Sequence, residues 1–222
     1  MSQQDSPSVT GRQHAGARVL VIDDEHEIGR SVRMGLQGAD FTVEWVATAA
    51  EGMERVAQWR PDVILLDLSL PDLDGVEVCR QLRAWTQTPI IVLSVRAHEK
   101  DKVAALEQGA DDYLTKPFGM EELIARIRVA LRHVARAASG TGAAQMRVGG
   151  LEMDLERRLV TVDGREAHLT PTEYEVLKYL MTNVGKVVTH RVLLHAVWGP
   201  SYETEAHYLR FFTNQLRRKI EA

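Results

Sequence analysis

A short apolar run that ends directly in an aspartate constrains this chain more than any other feature. The four residues 63–66 (Val-Ile-Leu-Leu) lead into Asp67, and a turn signal at Pro71 follows closely. An apolar segment this short and uniform is typical of a strand buried on both faces in a parallel sheet. Asp67 then lies at the carboxyl end of the strand, the edge of an open α/β sheet where ligands bind. A carboxylate there either caps the next turn or takes part in chemistry, and this segment alone leaves both open.

Strand and helix patterns alternate along the first part of the chain. Apolar segments predict strands at 18–22, 41–46, 63–66, 89–93 and 112–114, and a helical pattern follows each of them. Five strands that alternate with five helices indicate a doubly wound α/β domain with a five-stranded parallel sheet, of the flavodoxin-like type. We expect this domain to span residues 17–136.

The remaining segments differ in character. Residues 1–16 are polar and predict a disordered tail, and the small residues at 137–145 predict a flexible linker. Residues 146–168 indicate short strands with a hairpin turn at Asp163-Gly164. Three helical patterns follow, so residues 146–222 predict a small α+β domain with a three-helix core.

Composition narrows the class of protein. No apolar run approaches the roughly 20 residues of a membrane helix, and the N-terminus lacks the apolar core of a secretory signal. A single cysteine, Cys79, excludes an internal disulfide and a thiolate metal cluster, so we expect a cytoplasmic protein. Residues 1–134 carry a net charge of −6 and residues 135–222 a net charge of +2. This asymmetry is a weak indication that the second part binds nucleic acid.

Polar side chains follow four of the predicted strands. Asp23 and Asp24 follow the first strand, Asp67 the third, Ser94 the fourth and Lys116 the fifth. Because the carboxyl ends of parallel strands meet at one edge, these side chains should converge. Three carboxylates repel one another unless a cation joins them, and oxygen ligands suit Mg²⁺. Together they predict a phosphoryl-acceptor site, although each residue alone is equally typical of a helix cap, a turn or a surface charge.

These residues resemble the signature of the response-regulator receiver domain, and the segment 109–118 (Gly-Ala-Asp-Asp-Tyr-Leu-Thr-Lys-Pro-Phe) is specific to it. The second domain resembles the winged-helix effector of the OmpR/PhoB subfamily of two-component response regulators. The resemblance extends over nearly the whole chain from residue 18. Within the subfamily, the segments 91–96, 101–106, 197–200 and 207–210 are similar to regulators of high-affinity potassium uptake.

The resemblance implies a role for each acidic residue. Asp67 would accept a phosphoryl group from a sensor histidine kinase. The direct ligands of Mg²⁺ would be Asp24, Asp67 and the backbone carbonyl of Ser69, and Asp23 would act through water.

The resemblance also implies a switch. Lys116 would pair with the acyl phosphate, and its bond to Pro117 would be cis, which is rare enough to mark a site. Ser94 would move to hydrogen-bond the phosphoryl oxygen, and Tyr113 would follow into the vacated space. Such a local rearrangement can shift the equilibrium between two conformations of the domain.

A predicted surface of the first domain has an apolar centre and a charged rim. It is formed by the last two helices and the strand between them, at 99–134. A solvated face is the alternative, but the resemblance implies a homodimer interface after phosphorylation, with Lys102–Glu122 and Asp112–Arg126 paired between chains. The residues expected in this interface are Lys102, Val103, Leu106, Asp111, Asp112, Glu122, Ile124 and Arg126.

The last predicted helix, at about 205–221, has two different faces. Apolar residues recur every three or four positions on one face and should face the core: Leu209, Phe212, Leu216 and Ile220. The opposite face carries Arg and Asn, which can read base edges or bind phosphates, and it follows two other helices as in a helix-turn-helix. A solvated basic face is the alternative. The residues expected to contact DNA are His207, Arg210, Asn214, Arg217 and Arg218.

The sequence stops at Glu221-Ala222, directly after this predicted recognition helix. The subfamily continues into a β-hairpin, the wing, which packs on the domain and touches the adjacent minor groove. We therefore expect the C-terminal wing to be missing and DNA binding by the second domain to be weak.

Several other functions fit parts of the pattern. A phosphatase of the haloacid dehalogenase type needs a second acid two residues after Asp67, where Ser69 stands. A flavin carrier needs a phosphate loop after the first strand, where the acidic segment 23–25 would repel phosphate. A regulator independent of phosphorylation and a paralogue that serves another stimulus stay open. We expect a DNA-binding transcriptional regulator rather than an enzyme. The regulator would activate potassium-uptake genes, and its partners would be a sensor kinase, operator DNA and RNA polymerase.

Overall fold

The computed structural model describes residues 16–96, 98–138, 145–202 and 206–221. Residues 1–15 of the predicted tail and 139–144 of the predicted linker lie outside these ranges. The predicted linker bounds 137 and 145 are wrong, because the last helix of the first domain continues to Ala138 and a strand begins at Gln145. Within the described residues, no helix is both long enough and apolar enough to cross a membrane.

The first domain alternates strands and helices as the sequence predicts. All neighbouring strands of its sheet pair in parallel, in the order β2-β1-β3-β4-β5. This confirms the predicted five-stranded, doubly wound architecture. The elements are β1 (Arg18–Ile22), α1 (His26–Gln37), β2 (Thr42–Val46), α2 (Ala49–Trp59), β3 (Val63–Asp67), α3 (Gly75–Arg83), β4 (Ile90–Ser94), α4 (Glu99–Glu107), β5 (Asp112–Thr115) and α5 (Met120–Ala138).

The uniform apolar run of β3 follows from its central position in the sheet. Val63 and Leu65 pack into the core beneath α1 and α5. Ile64 and Leu66 point to the opposite face, into the core beneath α2, α3 and α4. Because successive side chains of a strand alternate between faces and both faces are covered, every position needs an apolar residue.

The second domain begins with a four-stranded antiparallel sheet in the order β6-β7-β8-β9. The turn between β8 and β9 places Asp163 and Gly164 at positive φ angles of 48° and 80°. This backbone conformation is that of a two-residue hairpin turn, as predicted. The strands are β6 (Gln145–Val148), β7 (Leu151–Asp154), β8 (Leu159–Val162) and β9 (Arg165–Glu166).

Three helices complete the second domain: α6 (Pro171–Thr182), α7 (His190–Val197) and α8 (Ala206–Ile220). A capping box formed by Thr170 and Glu173 fixes the start of α6. Lys219 near the end of α8 donates to Glu173 at 2.6 Å, which ties the last helix to the first. Of the four predicted core residues of α8, Leu209, Phe212 and Leu216 are buried. Ile220 is half-buried and packs against the same core.

The two domains contact each other. The contact joins β5 and α5 of the first domain to the start of α6, the short turn Pro200–Tyr202 and α8 of the second. Buried apolar residues of both domains belong to one continuous cluster.

Candidate phosphoryl-acceptor site and nucleic-acid interface

Asp67 lies at the carboxyl end of β3, where the sequence predicts the centre of the site. Its side chain is buried, and its carboxylate lies 3.5 Å from the ammonium of Lys116. The N–H of Ser69 donates to its Oδ2 at 3.3 Å. Burial raises the pKa of Asp67, while the charge of Lys116 acts in the opposite direction. The site therefore presents a desolvated carboxylate next to a fixed cation.

Lys116 follows β5 and joins the acidic residues of the edge. Its Nζ donates to Asp23 Oδ2 at 2.8 Å and to Glu25 Oε1 at 3.1 Å. Burial acts to lower the pKa of Lys116, but the hydrogen bond to Asp23 and the charge of Asp67 outweigh it, so the pKa is raised. Lys116 is thus held as a cation. The Lys116–Pro117 peptide bond is cis.

Three carboxylates form a group at this edge: Asp23, Glu25 and Asp67 each contribute an oxygen, and these oxygens lie within 4.8 Å of one another. An all-oxygen, negatively charged donor set of this kind fits Mg²⁺. Asp24 is exposed and lies outside this group. Glu25 is a residue that the sequence reasoning missed, although it was visible as the third member of the acidic segment 23–25.

Ser94 and Tyr113 lie between this edge and the α4–β5–α5 surface. Both are buried, and the loop after β4 connects them: Ser94 Oγ accepts from the N–H of Arg96 at 3.1 Å. The Tyr113 hydroxyl donates to the carbonyl of Arg96 at 2.5 Å. Burial raises the pKa of Tyr113, against the effect of its neighbour Ser94. The structure thus brings the two predicted switch residues together through Arg96.

Charged residues of the predicted dimer surface contact other residues of the same chain. Arg126 forms ion pairs within its own chain, with Asp112 at 3.0 Å and with Glu122 at 2.7 Å. Lys102 lies over the ring of Tyr113, 5.9 Å from its centroid.

Acidic and apolar residues of the same surface are partly covered. Asp111 and Asp112 are buried, and side chains of the second domain contact both of them. Leu106 is buried, whereas Val103 and Ile124 are half-buried.

The outer face of α8 carries the basic residues that the sequence assigns to DNA. Arg210, Asn214, Arg217 and Arg218 are exposed, opposite the core residues of the helix. The side chain of His207 lies outside the described residues. Tyr208, which the sequence reasoning missed, is buried against the first domain.

Protein-family models match both domains. The model described as the response regulator receiver domain matches residues 19–128. The model described as the C terminal of transcriptional regulatory proteins matches residues 164–222.

Similar curated proteins span nearly the whole chain. The transcriptional regulatory protein KdpE of Mycobacterium tuberculosis H37Rv is 47% identical, over 91% of this chain and 89% of its own length. The KDP operon regulator KdpE of Escherichia coli K12 is 46% identical over the same shares. The response regulator MprA of Mycobacterium bovis BCG is 40% identical, over 92% of this chain and 89% of its own.

Solved structures of other proteins resemble this chain, either over both domains or over the first domain. A mutant of the protein RitR superposes with a TM-score of 0.79 at 25% identity, over 93% of this chain and 91% of that chain, so the superposition includes both domains. The BeF3-activated receiver domain of Klebsiella pneumoniae RstA has a TM-score of 0.51 at 33% identity, over 52% of this chain and 98% of its own.

Proteins of the matched families are transcriptional regulators rather than enzymes. A two-component regulator has a sensor kinase and DNA as its partners. The receiver fold, the acidic edge with its lysine, and the matches over both domains lead to one conclusion: the chain belongs to the OmpR/PhoB-type two-component response regulators.

Proposed function

We propose that Asp67 accepts a phosphoryl group from a KdpD-like sensor histidine kinase and that the chain then activates potassium-uptake genes. One observation carries the phosphoryl-acceptor role: a buried aspartate faces Lys116 and two further carboxylates at a sheet edge. The potassium assignment is supported by relatives whose printed names include the KDP operon regulator. A regulator of another stimulus is the alternative, because MprA is also similar.

The phosphoryl transfer follows from the position of Asp67. One carboxylate oxygen attacks the phosphorus of the kinase's phosphohistidine, the P–N bond breaks, and the imidazole leaves with the bonding electrons. Lys116, held as a cation by Asp23, Glu25 and Asp67, compensates the negative charge of the transferred group. The burial of Asp67 away from bulk water strengthens this electrostatic effect.

Mg²⁺ would be held at the same edge, by Asp24, Asp67 and the Ser69 carbonyl, with Asp23 acting through water. Glu25 would add a further oxygen, since its carboxylate groups with those of Asp23 and Asp67. When bound, the ion offsets the repulsion between these carboxylates and the incoming phosphoryl group.

A signal would leave the site through Ser94 and Tyr113. In our proposal the Ser94 hydroxyl turns to the phosphoryl oxygen and Tyr113 shifts with the Arg96 loop. The hydrogen bonds of both side chains to Arg96 support this route. The change then reaches the α4–β5–α5 surface, through which two receivers form a dimer.

DNA binding would use the outer face of α8. Arg210 and Asn214 would reach base edges, whereas Arg217 and Arg218, in the last turns of the helix, would bind phosphates, and His207 would lie at its start. A dimer would place two such helices on operator half-sites in the cytoplasm, where RNA polymerase would be a further partner.

The test is labelling by acetyl phosphate in the presence of Mg²⁺, followed by intact mass. We expect one added phosphoryl group on the native chain and none on Asp67→Asn. Asp40→Asn is the matched control, because Asp40 is exposed in the turn before β2 at a positive φ angle of 66°, a conformation that Asn adopts readily. Labelling of Asp67→Asn at the native rate would contradict the assignment, and so would an unlabelled native chain.

A further inference from the structure

An indole side chain contacts the acidic edge from outside the group of carboxylates. Trp45 lies in β2, and its Nε1–H donates to the backbone carbonyl of Asp23 at 2.9 Å. Asp23 directly follows β1, and its own N–H donates to the carbonyl of Val46 at 3.1 Å. Two neighbouring residues of β2 therefore bind both backbone polar groups of Asp23.

The side chain of Asp23 is held as well as its backbone. Its Oδ1 accepts from the N–H of Glu25 at 3.0 Å, and its Oδ2 accepts from Lys116. Each polar atom of this buried residue thus has a partner, as the burial of a carboxylate requires. Trp45 supplies a partner that comes from a side chain outside the acidic edge.

The peptide unit between Asp23 and Asp24 carries this contact toward the proposed metal ligands. Because a peptide unit is planar, the direction of the Asp23 carbonyl fixes the direction of the Asp24 N–H and the position of the Asp24 Cα. The chain leaves the sheet at this point, and the side chains of Asp24 and Glu25 are exposed. The hydrogen bond from Trp45 therefore restrains the start of the turn that carries both residues.

Gly29 in α1 leaves room for the indole. A Cβ at Gly29 would lie 2.5 Å from the Cδ1 atom of Trp45 and would also overlap Nε1. The ring of His26, three residues earlier in α1, contacts the indole with the ring centroids 4.7 Å apart. The position of the indole thus depends on α1 as well as on β2, and a side chain at Gly29 would push the ring away from the Asp23 carbonyl.

We infer that Trp45 is a positioning residue of the phosphoryl-acceptor site: its indole N–H fixes the peptide unit between Asp23 and Asp24 and thereby raises the affinity of the site for Mg²⁺. The effect on Mg²⁺ rests on the proposed function, whereas the fixed peptide unit is a property of the metal-free chain. The alternative is that the ring only fills space between β2 and α1, since it also packs against the core of the first domain.

Pre-organisation gives the size of the expected effect. Ligands that are already held in their bound arrangement lose less conformational freedom when the ion binds. If only a fraction of the chains has this arrangement, the apparent dissociation constant rises in inverse proportion to that fraction. Groups that orient metal ligands change the affinity for the metal by about 10- to 100-fold. Since Trp45 acts on the backbone and not on a carboxylate, we expect the lower end, about tenfold.

The test is Trp45→Phe, which removes the N–H donor and keeps an aromatic ring. Titration of the full chain with MgCl₂, followed by NMR of the amides of residues 67–69, should give a dissociation constant about tenfold above the native one. Without Mg²⁺, the backbone order parameters of Asp24 and Glu25 should fall from about 0.85 toward about 0.6. Trp59→Phe is the matched control, because Trp59 is also half-buried but ends α2 at the opposite edge of the sheet. It should change neither quantity.

Gly29→Ala tests the same contact without removing the indole. The added Cβ displaces the ring, so Mg²⁺ binding should weaken and the order parameters should fall in the same direction as in Trp45→Phe. Gly38→Ala, directly after α1, is the matched control, since its added Cβ would meet its nearest neighbours at an ordinary 3.5 Å.

Labelling by acetyl phosphate separates positioning from damage to the fold. In Trp45→Phe the Mg²⁺ concentration for half-maximal labelling should rise, while the rate at saturating Mg²⁺ should equal the native rate. A variant that is folded by thermal unfolding, with native Mg²⁺ affinity and native order parameters, overturns the inference. A native chain that neither binds Mg²⁺ nor labels at Asp67 contradicts the proposed function, and the order parameters then still decide whether Trp45 fixes the peptide unit.

Discussion

Gly75 offers a quantitative test of how the chain positions Asp67. It is the first residue of α3, and a Cβ added there would lie 2.6 Å from the Cα of Leu68 and would also overlap the carbonyl oxygen of Asp67. Ordinary contacts begin at about 3.4 Å, so the backbone after β3 must move by about 0.8 Å. Because the obstructing atoms are backbone, no side-chain rotation can relieve the overlap.

The expected effect of Gly75→Ala has two parts. Overpacking of this kind costs about 1–3 kcal/mol, which lowers the melting temperature by about 2–4 °C per kcal/mol in a chain of this size. A displacement approaching 1 Å at the nucleophile reduces the rate of labelling by acetyl phosphate by up to about 100-fold.

Thermal unfolding and labelling kinetics measure these two effects. Gly38→Ala is the matched control, because a Cβ at Gly38 would meet its nearest neighbours at an ordinary 3.5 Å and its φ angle is −63°. This control should label at the native rate. Gly75→Ala with native labelling and native stability would refute the reasoning.

Two further predictions concern the lysine and the recognition helix. Lys116→Ala removes the charge that lowers the pKa of Asp67, so the pKa rises further and the acidic limb of the pH profile of labelling shifts to higher pH; an unshifted limb would contradict the ion pair. In band-shift assays against a random-sequence duplex and a duplex selected for tight binding, Arg210→Ala should reduce the preference between them. Arg218→Ala should weaken binding to both equally and reduce its salt dependence, and the reverse pattern would contradict the assignment of base and phosphate contacts.

Local patterns in the sequence determined most of the fold. The uniform run 63–66 predicts a central strand because each of its residues must be apolar when helices cover both faces of the sheet. The pair Asp163-Gly164 predicts its hairpin turn because this turn needs two positive φ angles. The convergence of Asp23, Asp67 and Lys116 also follows from the sequence, because parallel strands end at a common edge.

Side-chain direction and contacts between distant residues were decided only by the tertiary structure. Glu25, rather than its neighbour Asp24, groups with Asp23 and Asp67, and nothing in the spacing of three consecutive acids distinguishes them. The burial of Asp112 by Tyr208 joins residues 96 positions apart. An aromatic residue on an amphipathic helix predicts a buried side chain but not the domain against which it is buried, because that depends on how two separately folded surfaces meet.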